Sequence, residues 1–201
     1  MLFGTSTFFR LYIRNQKLLP IMFQSLRLVL AGAERLSAAV RIAFKEKFGL
    51  DILEGYGTTE TTPVATVNIP DVLDTDLWWV HVGNKPGTVG LPLPGSAIRI
   101  VDPETFSPVP FGESGLILIG GTQLMQGYLD DAEKTASVIS IMEGIRWYHT
   151  GDKGRLDVDG FLIIEDRFAR FAKIGGEMIS LTAVETAIEP LYCPQLRNSL
   201  N

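Results

Sequence analysis

The first third of the chain alternates short apolar runs with one amphipathic helical pattern. An apolar run from Leu26 to Leu30 leads into Ala31, Gly32 and Ala33, and Ile52 and Leu53 begin a second run that ends at Gly55. Between these runs five apolar residues recur at helical spacing: Leu36, Ala39, Val40, Ala43 and Phe44. The helix is predicted to end near Gly49, which gives a βαβ unit with parallel strands and a right-handed crossover.

Glycines and polar residues follow both predicted strands. In open parallel sheets, ligands bind beyond the carboxyl ends of the strands. This rule places Gly32 to Glu34 and Gly55 to Glu60 along one rim of the sheet. We expect the two loops to share one ligand.

After Pro70 the pattern changes to short apolar runs separated by glycine, proline and aspartate, which predicts a β-rich section. The clearest runs are Ile98 to Val101, Leu116 to Ile119, Arg155 to Val158 and Phe161 to Ile164. Asp159-Gly160 indicates a tight hairpin between the last two, because glycine accepts the positive φ of such turns. Residues 131–142 are predicted to form an inserted helix.

From Asp166 the sequence becomes basic and then glycine-rich, which is typical of an exposed joint between two bodies. Ser180 is predicted to cap a helix that carries Leu181, Val184 and Ile188 on one face. The whole pattern predicts an α/β protein with three parts: a βαβ part (1–70), a β-rich part (71–165), and a hinge with the start of another domain (166–201).

Composition excludes several classes of function. The 201 residues are 46% hydrophobic and carry a net charge of −5, which argues against a nucleic-acid partner. One cysteine and two histidines provide neither an internal disulfide nor a zinc cluster, which favours a reducing, cytoplasmic location. The apolar stretch Leu18 to Ala33 is too interrupted to span a membrane. Neither terminus is typical of a natural end, so we expect a fragment of a longer protein.

The segment Gly55 to Glu60 contains an aromatic ring, flexible glycines, two hydroxyls and a carboxylate at a strand end. An aromatic ring can stack on a purine, hydroxyls can bind phosphate oxygens, and a carboxylate can bind Mg²⁺. The same residues also suit a polar turn after a strand.

Two further clusters lie downstream. In Trp147 to Asp152, the carboxylate of Asp152 is suited to both hydroxyls of a ribose, although Thr-Gly-Asp is also common in turns. His149 has no nucleophile pattern nearby and is interpreted as a structural or surface histidine. Arg167, Arg170 and Lys173 suit either a phosphate or an acidic protein surface, or simply a solvated basic edge.

Other nucleotide and metal patterns are absent from the sequence. Asp157 to Gly160 lacks the remaining acidic positions of a calcium loop. The turn at Ala31 carries neither the phosphate-loop pattern nor the dinucleotide glycine fingerprint.

Taken in order, the clusters resemble the acyl-adenylating superfamily of acyl-CoA synthetases, luciferases and nonribosomal peptide adenylation domains. The blocks that carry the resemblance are Tyr56 to Glu60, Gly87 to Gly90 with Leu93 to Gly95, Gly112 to Tyr128, Tyr148 to Asp152, and Arg167 to Glu185. Within the superfamily, Ala31 to Glu34 and Arg170 to Met178 are most similar to the acyl-acyl carrier protein synthetase part of bifunctional acylglycerophosphoethanolamine acyltransferases, which recycle phospholipids. The resemblance implies the C-terminal part of a large adenylation domain with a small β-barrel-like subdomain, followed by an α+β lid.

The resemblance also implies roles for particular residues, with ATP and Mg²⁺ as cofactors. Tyr56 and Gly57 would lie at the adenine, Thr59 at the α-phosphate and Glu60 at Mg²⁺. Asp152 would hold the ribose with Arg167 nearby, and Gly32, Ala33 and Glu34 would line the adenine and acyl pocket. The lid would rotate about a hinge near Ala169, where many relatives carry an acidic residue.

The implied activity is transfer of a fatty acid, through acyl-AMP, to the thiol of acyl carrier protein. The alternatives are a long-chain acyl-CoA synthetase, with CoA as acceptor, and a catalytically silent binding module on the same scaffold. The glycine-rich phosphate loop is expected upstream and the catalytic lysine downstream, so the fragment alone is expected to be inactive. The resemblance also allows attachment to the inner face of the cell membrane through upstream domains.

Overall fold

The structure of the chain, a computed structural model, describes residues 1–174, 177–180, 184 and 188. Its first elements are β1 (Leu2–Gly4), α1 (Ser6–Arg14), a 3₁₀ helix (Pro20–Phe23), β2 (Val29–Ala31), α2 (Ala38–Phe48) and β3 (Ile52–Tyr56). Strands β1, β2 and β3 pair in parallel, which confirms the parallel βαβ pairing predicted from the sequence. The run from Leu26 becomes a strand only at Val29.

The ends of α2 follow the local sequence. The Ser37 hydroxyl accepts a hydrogen bond from the Val40 N–H at 3.3 Å, which caps the first turn. Gly49 adopts a left-handed φ of 70° and its N–H donates to the Lys45 carbonyl at 2.8 Å. This glycine ends the helix where the sequence predicted and directs the chain into β3.

Aromatic side chains form the core beneath the βαβ unit. Phe9 of α1 and Phe44 of α2 are fully buried and meet edge to face, with ring centroids 5.2 Å apart. Phe23 and Phe48 complete the cluster. This packing fixes α1 and α2 on the sheet. The parallel pairing of β2 with β3 places the carboxyl ends of these strands side by side.

The parallel strands continue into an antiparallel extension. A 3₁₀ helix (Thr59–Thr61) leads to β4 (Thr66–Val67); β5 (Val72–Asp74) and β6 (Trp79–His81) form a separate hairpin, and β7 (Leu91–Pro92) follows. The sheet order is β1-β2-β3-β4-β7. Asn68, almost fully buried, links this extension to the next loop through hydrogen bonds to the Thr88 carbonyl (2.8 Å) and from the Lys85 N–H (3.0 Å).

A second, antiparallel sheet forms the β-rich part predicted after Pro70. Its elements are β8 (Ser96–Val101), β9 (Gly115–Gly121), α3 (Ala132–Val138), β10 (Ile139–Met142), β11 (Ile145–Leu156) and β12 (Leu162–Arg167). The order is β10-β11-β9-β8, with β12 also on β11. Ile117, Ile119 and Leu162 are fully buried at its core.

The predicted boundaries at the end of α3 and at the end of β11 were wrong. The helix expected over 131–142 ends at Val138, because the alternating Ile139–Met142 segment pairs with β11 as a strand. The strand expected from Arg155 to Val158 ends at Leu156, and Val158 is 84% exposed in the hairpin turn.

The turn between β11 and β12 confirms the predicted hairpin. Gly160 has a φ of 85°, and its N–H donates to the Asp157 carbonyl at 2.9 Å. Lys85 forms ion pairs with Asp157 and Asp159, which ties the turn to the loop before β7.

After β12 the chain continues into a short 3₁₀ helix (Phe168–Arg170) and the antiparallel strands β13 (Phe171–Ile174) and β14 (Glu177–Ser180). Val184 and Ile188 are helical, and the rest of the helix predicted after Ser180 lies outside the described residues. None of the helices in the described part of the chain is long and apolar enough to cross a membrane. The domain boundaries after residues 70 and 165 stay predictions.

Replacement of Phe44 by alanine should strongly destabilise the full-length protein, because it leaves a cavity beneath the βαβ unit. We expect Phe44→Ala to lower the free energy of unfolding by about 3–5 kcal/mol in urea denaturation. Phe111→Ala is the matched control, since Phe111 is 65% exposed, and should change this free energy by less than about 0.5 kcal/mol. Equal losses in both variants would contradict this description of the core.

Candidate active site

The loop after β3 has a fixed backbone that presents Thr59 and Glu60 at the sheet edge. The Thr58 N–H donates to the Thr61 hydroxyl at 2.9 Å, and this hydroxyl donates to the Thr58 carbonyl at 3.0 Å. Thr61 is fully buried, whereas Thr59 is exposed. The Thr59 side chain is therefore accessible to a ligand while its backbone is held in place.

Gly57 is required by the close approach of the following segment. A Cβ atom at this position would lie 2.1 Å from the Pro63 carbonyl oxygen. Any larger residue would push the loop away from β4. The glycine of the predicted nucleotide motif therefore serves the packing of the loop.

The Thr-Gly-Asp segment is a bulge within β11 and not the turn that its composition also allowed. The strand register shifts between His149 and Lys153, and Gly151 has a φ of 73°. The Thr150 hydroxyl donates to the Ile117 carbonyl at 2.8 Å and accepts from the Asp152 N–H at 3.0 Å. A bulge redirects the side chains that follow it, and here it directs Asp152 toward the end of β3.

Asp152 is the centre of a hydrogen-bond network that joins the two sheets. The Tyr56 hydroxyl donates to Asp152 Oδ2 at 2.5 Å, and Arg167 Nε donates to Oδ1 at 2.7 Å. The Asp152 side chain is only 6% exposed, so these partners compensate the cost of burying its charge. Burial, together with the Asp152 carboxylate, raises the pKa of Tyr56 well above its usual range, and the phenol stays protonated as a donor.

Glu60 is held from the other side by the segment before α3. The Tyr128 hydroxyl donates to Glu60 Oε1 at 2.7 Å, and the Met125 N–H donates to the Glu60 carbonyl at 2.9 Å. Partial burial tends to raise the pKa of Glu60, but the hydrogen bonds led by Tyr128 outweigh it and leave this pKa below its usual value. Glu60 is therefore ionised at neutral pH.

The residues after β2 are only partly directed toward this site. Gly32 lies beside Gly55, since a Cβ at Gly32 would be 3.8 Å from the Gly55 carbonyl oxygen. Glu34, in contrast, accepts hydrogen bonds from the Thr7 N–H (3.1 Å) and hydroxyl (3.0 Å) at the start of α1. Ala33, between them, has a positive φ of 65°.

The structure thus brings Tyr56, Gly57, Asp152 and Arg167 together, with Thr59 and Glu60 on the adjoining loop. Sequence reasoning assigned no role to Tyr128, which contacts Glu60 from 68 residues away. The only signal for it was its place in the block that ends at Gly127-Tyr128. The side chains of Arg170 and Lys173 lie outside the described part of the structure.

The donor set at Glu60 fits a magnesium ion that binds together with phosphates. Among the described residues, no group of three or more His, Cys, Asp or Glu side chains forms a protein-only metal site. Mg²⁺ is commonly held by one or two carboxylates plus substrate phosphates. Glu60 supplies one ionised carboxylate, and Tyr128 engages only one of its two oxygens.

His149 has the surroundings of a structural residue. Its Nε2 lies 2.8 Å from the Ser140 hydroxyl, and its ring centroid is 4.9 Å from that of Phe106. Burial lowers the pKa of His149.

Comparison with known proteins relates the chain to enzymes that bind AMP. Residues 1–129 match the family described as AMP-binding enzyme. The chain is 33% identical over 165 residues to 4-coumarate–CoA ligase 1 of Glycine max, and 32% identical over 185 residues to a long-chain-fatty-acid–CoA ligase of Bacillus subtilis. These alignments cover 82% and 92% of this chain.

A solved structure shows the same fold. The ATP-bound crystal structure of MatB from Rhodopseudomonas palustris superposes with a TM-score of 0.77 at 31% identity, over 94% of this chain. The predicted α/β fold is therefore confirmed. The chain spans 53% of the Glycine max enzyme, 30% of the Bacillus subtilis enzyme and 35% of MatB.

The lowered pKa of His149 should make the stability of the full-length protein pH-dependent. The unfolded protein, with a histidine pKa of about 6.5, binds more protons than the folded protein as the pH falls. The contribution of neutral, buried His149 to the free energy of unfolding is complete above about pH 6.5, and it is lost as the pH falls through the pKa of His149 in the folded protein. We expect His149→Gln to reduce the fall in the free energy of unfolding between about pH 7 and pH 5.

Two measurements check this expectation: urea denaturation across the pH range, and NMR titration of the imidazole resonances. The imidazole resonance that disappears in His149→Gln belongs to His149, and His81→Gln identifies that of the other histidine in this chain. A His149 resonance that titrates at or above about pH 6.5 would contradict the expectation.

Proposed function

The chain belongs to the AMP-binding enzyme family, and on that premise we propose that the full-length protein is an ATP-dependent fatty acid ligase. It joins a fatty acid to AMP and transfers the acyl group to a thiol. The observation that carries this proposal is the convergence of Tyr56, Asp152 and Arg167 in one hydrogen-bond network, next to the Thr59-Glu60 loop. An aromatic ring, a buried carboxylate and exposed hydroxyl and carboxylate groups together suit a nucleotide.

We propose for each residue the role that the family resemblance implies, and its surroundings support that role. The Tyr56 ring stacks on adenine, while its hydroxyl keeps Asp152 oriented. Asp152 accepts hydrogen bonds from the ribose hydroxyls through its remaining lone pairs. The exposed Thr59 hydroxyl donates to the α-phosphate. Gly32 to Glu34 border the adenine and acyl pocket, although Glu34 is already engaged by Thr7.

Glu60 is the proposed ligand for Mg²⁺, which would enter with the phosphates of ATP. When bound, a divalent cation neutralises the phosphate charge that builds up during transfer. Glu60 contributes an ionised carboxylate at the sheet edge, and its position is set by Tyr128 and Met125.

The proposed reaction has two steps. A carboxylate oxygen of the fatty acid attacks the α-phosphorus of ATP, and the bond to the β-phosphate oxygen breaks to release pyrophosphate. A thiolate sulfur then attacks the acyl carbon, and the bond to AMP breaks with AMP as the leaving group. Exclusion of water protects the reactive anhydride between the two steps.

The proposed hinge segment begins near residue 166, and the lid that follows it rotates about Ala169. Arg167, which binds Asp152, lies two residues before that point. A rotation at Ala169 would leave the Arg167–Asp152 pair in place and move the chain that follows it. Only the start of the hinge block, at Arg167, would thus stay attached to the ribose end of the site.

For the acid, we propose a fatty acid, because the sequence blocks resemble fatty acid ligases and the Bacillus subtilis relative is a long-chain-fatty-acid–CoA ligase. For the acceptor, we propose the thiol of acyl carrier protein, which the segments at Ala31 and Arg170 favour. CoA is the rival acceptor, because the relatives from Glycine max and Bacillus subtilis are both CoA ligases.

The full-length protein should catalyse ATP–pyrophosphate exchange that depends on long-chain fatty acids. We expect Glu60→Ala to reduce the exchange rate at least about 100-fold, because it removes the carboxylate proposed for the metal. Glu46→Ala, on the exposed face of α2, is the matched control and should keep the wild-type rate. A panel of aromatic and fatty acids in the same assay identifies the acid.

The outcomes of this assay separate the rival functions. Exchange that is absent with every carboxylate would support a silent binding module, whereas exchange that is present but unaffected by Glu60→Ala would remove the metal role proposed for Glu60. Where exchange is present, supplying acyl carrier protein or CoA to the full-length protein and measuring thioester formation decides the acceptor.

A further inference from the structure

Tyr128 and Glu60 meet although 68 residues separate them in the sequence. The segment from Met125 to Tyr128 holds Glu60 twice: the Met125 N–H donates to its carbonyl (2.9 Å), and the Tyr128 hydroxyl donates to its Oε1 (2.7 Å). The same short segment therefore fixes both the backbone and the carboxylate of Glu60.

This segment is itself fixed to the second sheet. Arg146 Nη2 donates to the Met125 carbonyl at 3.0 Å and to the Gln126 carbonyl at 2.9 Å. Arg146 belongs to β11, the strand that also carries Asp152. The backbone that precedes Tyr128 is thus held in place by Arg146 of the second sheet.

The Tyr128 ring is held in position without help from its hydroxyl. The backbone N–H of Tyr128 donates to the Thr135 hydroxyl at 2.8 Å, and the Lys134 ammonium lies 4.4 Å from the centroid of the Tyr128 ring. Gly127 permits this contact with α3, because a Cβ there would lie 2.9 Å from Thr135. Loss of the hydroxyl alone should leave the ring where it is.

Glu60, in contrast, receives its leading hydrogen bond from that hydroxyl, with weaker ones from Thr58 and Tyr148. Its side chain is partly exposed, and a flexible glutamate loses conformational entropy when it is fixed. The hydrogen bond from Tyr128 fixes Oε1 before any ligand arrives, and the partly exposed carboxylate keeps lone pairs for a cation. Groups that orient a metal ligand in this way commonly change metal affinity when they are removed.

From this geometry we infer that Tyr128 is a positioning residue, whose hydroxyl orients the Glu60 carboxylate for the magnesium ion that accompanies ATP. The inference rests on the proposed function, because it needs Glu60 to bind that ion. In this role Tyr128 acts through Glu60.

The test compares ATP binding by the full-length protein with and without Mg²⁺. Calorimetry gives the dissociation constant of ATP in excess Mg²⁺ and again in EDTA, for the wild type, for Tyr128→Phe, and for Tyr12→Phe. Tyr12 lies in α1 against Phe9 and Phe23, so this control deletes a phenol hydroxyl away from the site. Thermal unfolding of each variant checks that the fold is retained.

We expect Tyr128→Phe to weaken ATP binding about tenfold in Mg²⁺ and to leave binding in EDTA unchanged. The Mg²⁺ concentration for half-maximal pyrophosphate exchange should rise by a similar factor, while Tyr12→Phe matches the wild type in every measurement. Equal weakening with and without Mg²⁺, which a merely structural role would give, would overturn the inference.

Unchanged binding in both conditions would also overturn it, and would leave the proposed function intact. A wild-type protein whose ATP binding does not respond to Mg²⁺ would instead remove the metal role of Glu60, and the inference with it.

Discussion

The buried carboxylate of Asp152 is the constraint on which the candidate site depends. A charge that is nearly removed from water requires hydrogen-bond partners, and Asp152 has one for each oxygen: Tyr56 from the end of β3 and Arg167 from the end of β12. To meet them it must leave the regular pleat of β11, which the bulge at Gly151 achieves. The end of the parallel sheet, the bulge and the start of the hinge are therefore fixed relative to one another by one side chain.

A second set of hydrogen bonds connects the two sheets, in addition to those of Asp152. Arg146, also in β11, holds the segment from Met125 to Tyr128, and this segment holds Glu60. The two links place a ring, two carboxylates and an exposed threonine at one sheet edge from segments that are far apart in sequence. Such preorganisation is valuable for phosphoryl chemistry, because groups already in place need no reorganisation during reaction.

Local signals in the sequence predicted much of the fold. The helical periodicity before Gly49 and the glycine of the Asp159-Gly160 turn act within a few residues, and both predictions were confirmed. Ile139 to Met142 was misassigned to a helix, because its strand character comes from pairing with β11. The bulge at Thr150 to Asp152 was missed as such for the same reason, since a bulge is defined by the neighbouring strand.

In the candidate site, too, residue types could be predicted from the local sequence, whereas contacts between distant segments could not. Tyr56, Glu60 and Asp152 could be proposed from their chemical types and order, whereas the hydrogen bond between Tyr56 and Asp152 spans 96 residues and has no local signature. Tyr128 carried no signal apart from its place in a family block, because its role depends on a contact made only after folding. Glu34 was assigned to the pocket from sequence, yet its carboxylate is used to hold the start of α1.

The most direct test of this account is the affinity of the full-length protein for ATP when Asp152 loses its charge. We expect Asp152→Asn to bind ATP roughly 10- to 100-fold more weakly than the wild type, because the proposed ribose recognition and the orientation of Tyr56 both require the carboxylate. Asp159→Asn, in the exposed hairpin turn, should bind as the wild type does. An Asp152→Asn protein that remains folded and binds ATP with wild-type affinity would contradict the account.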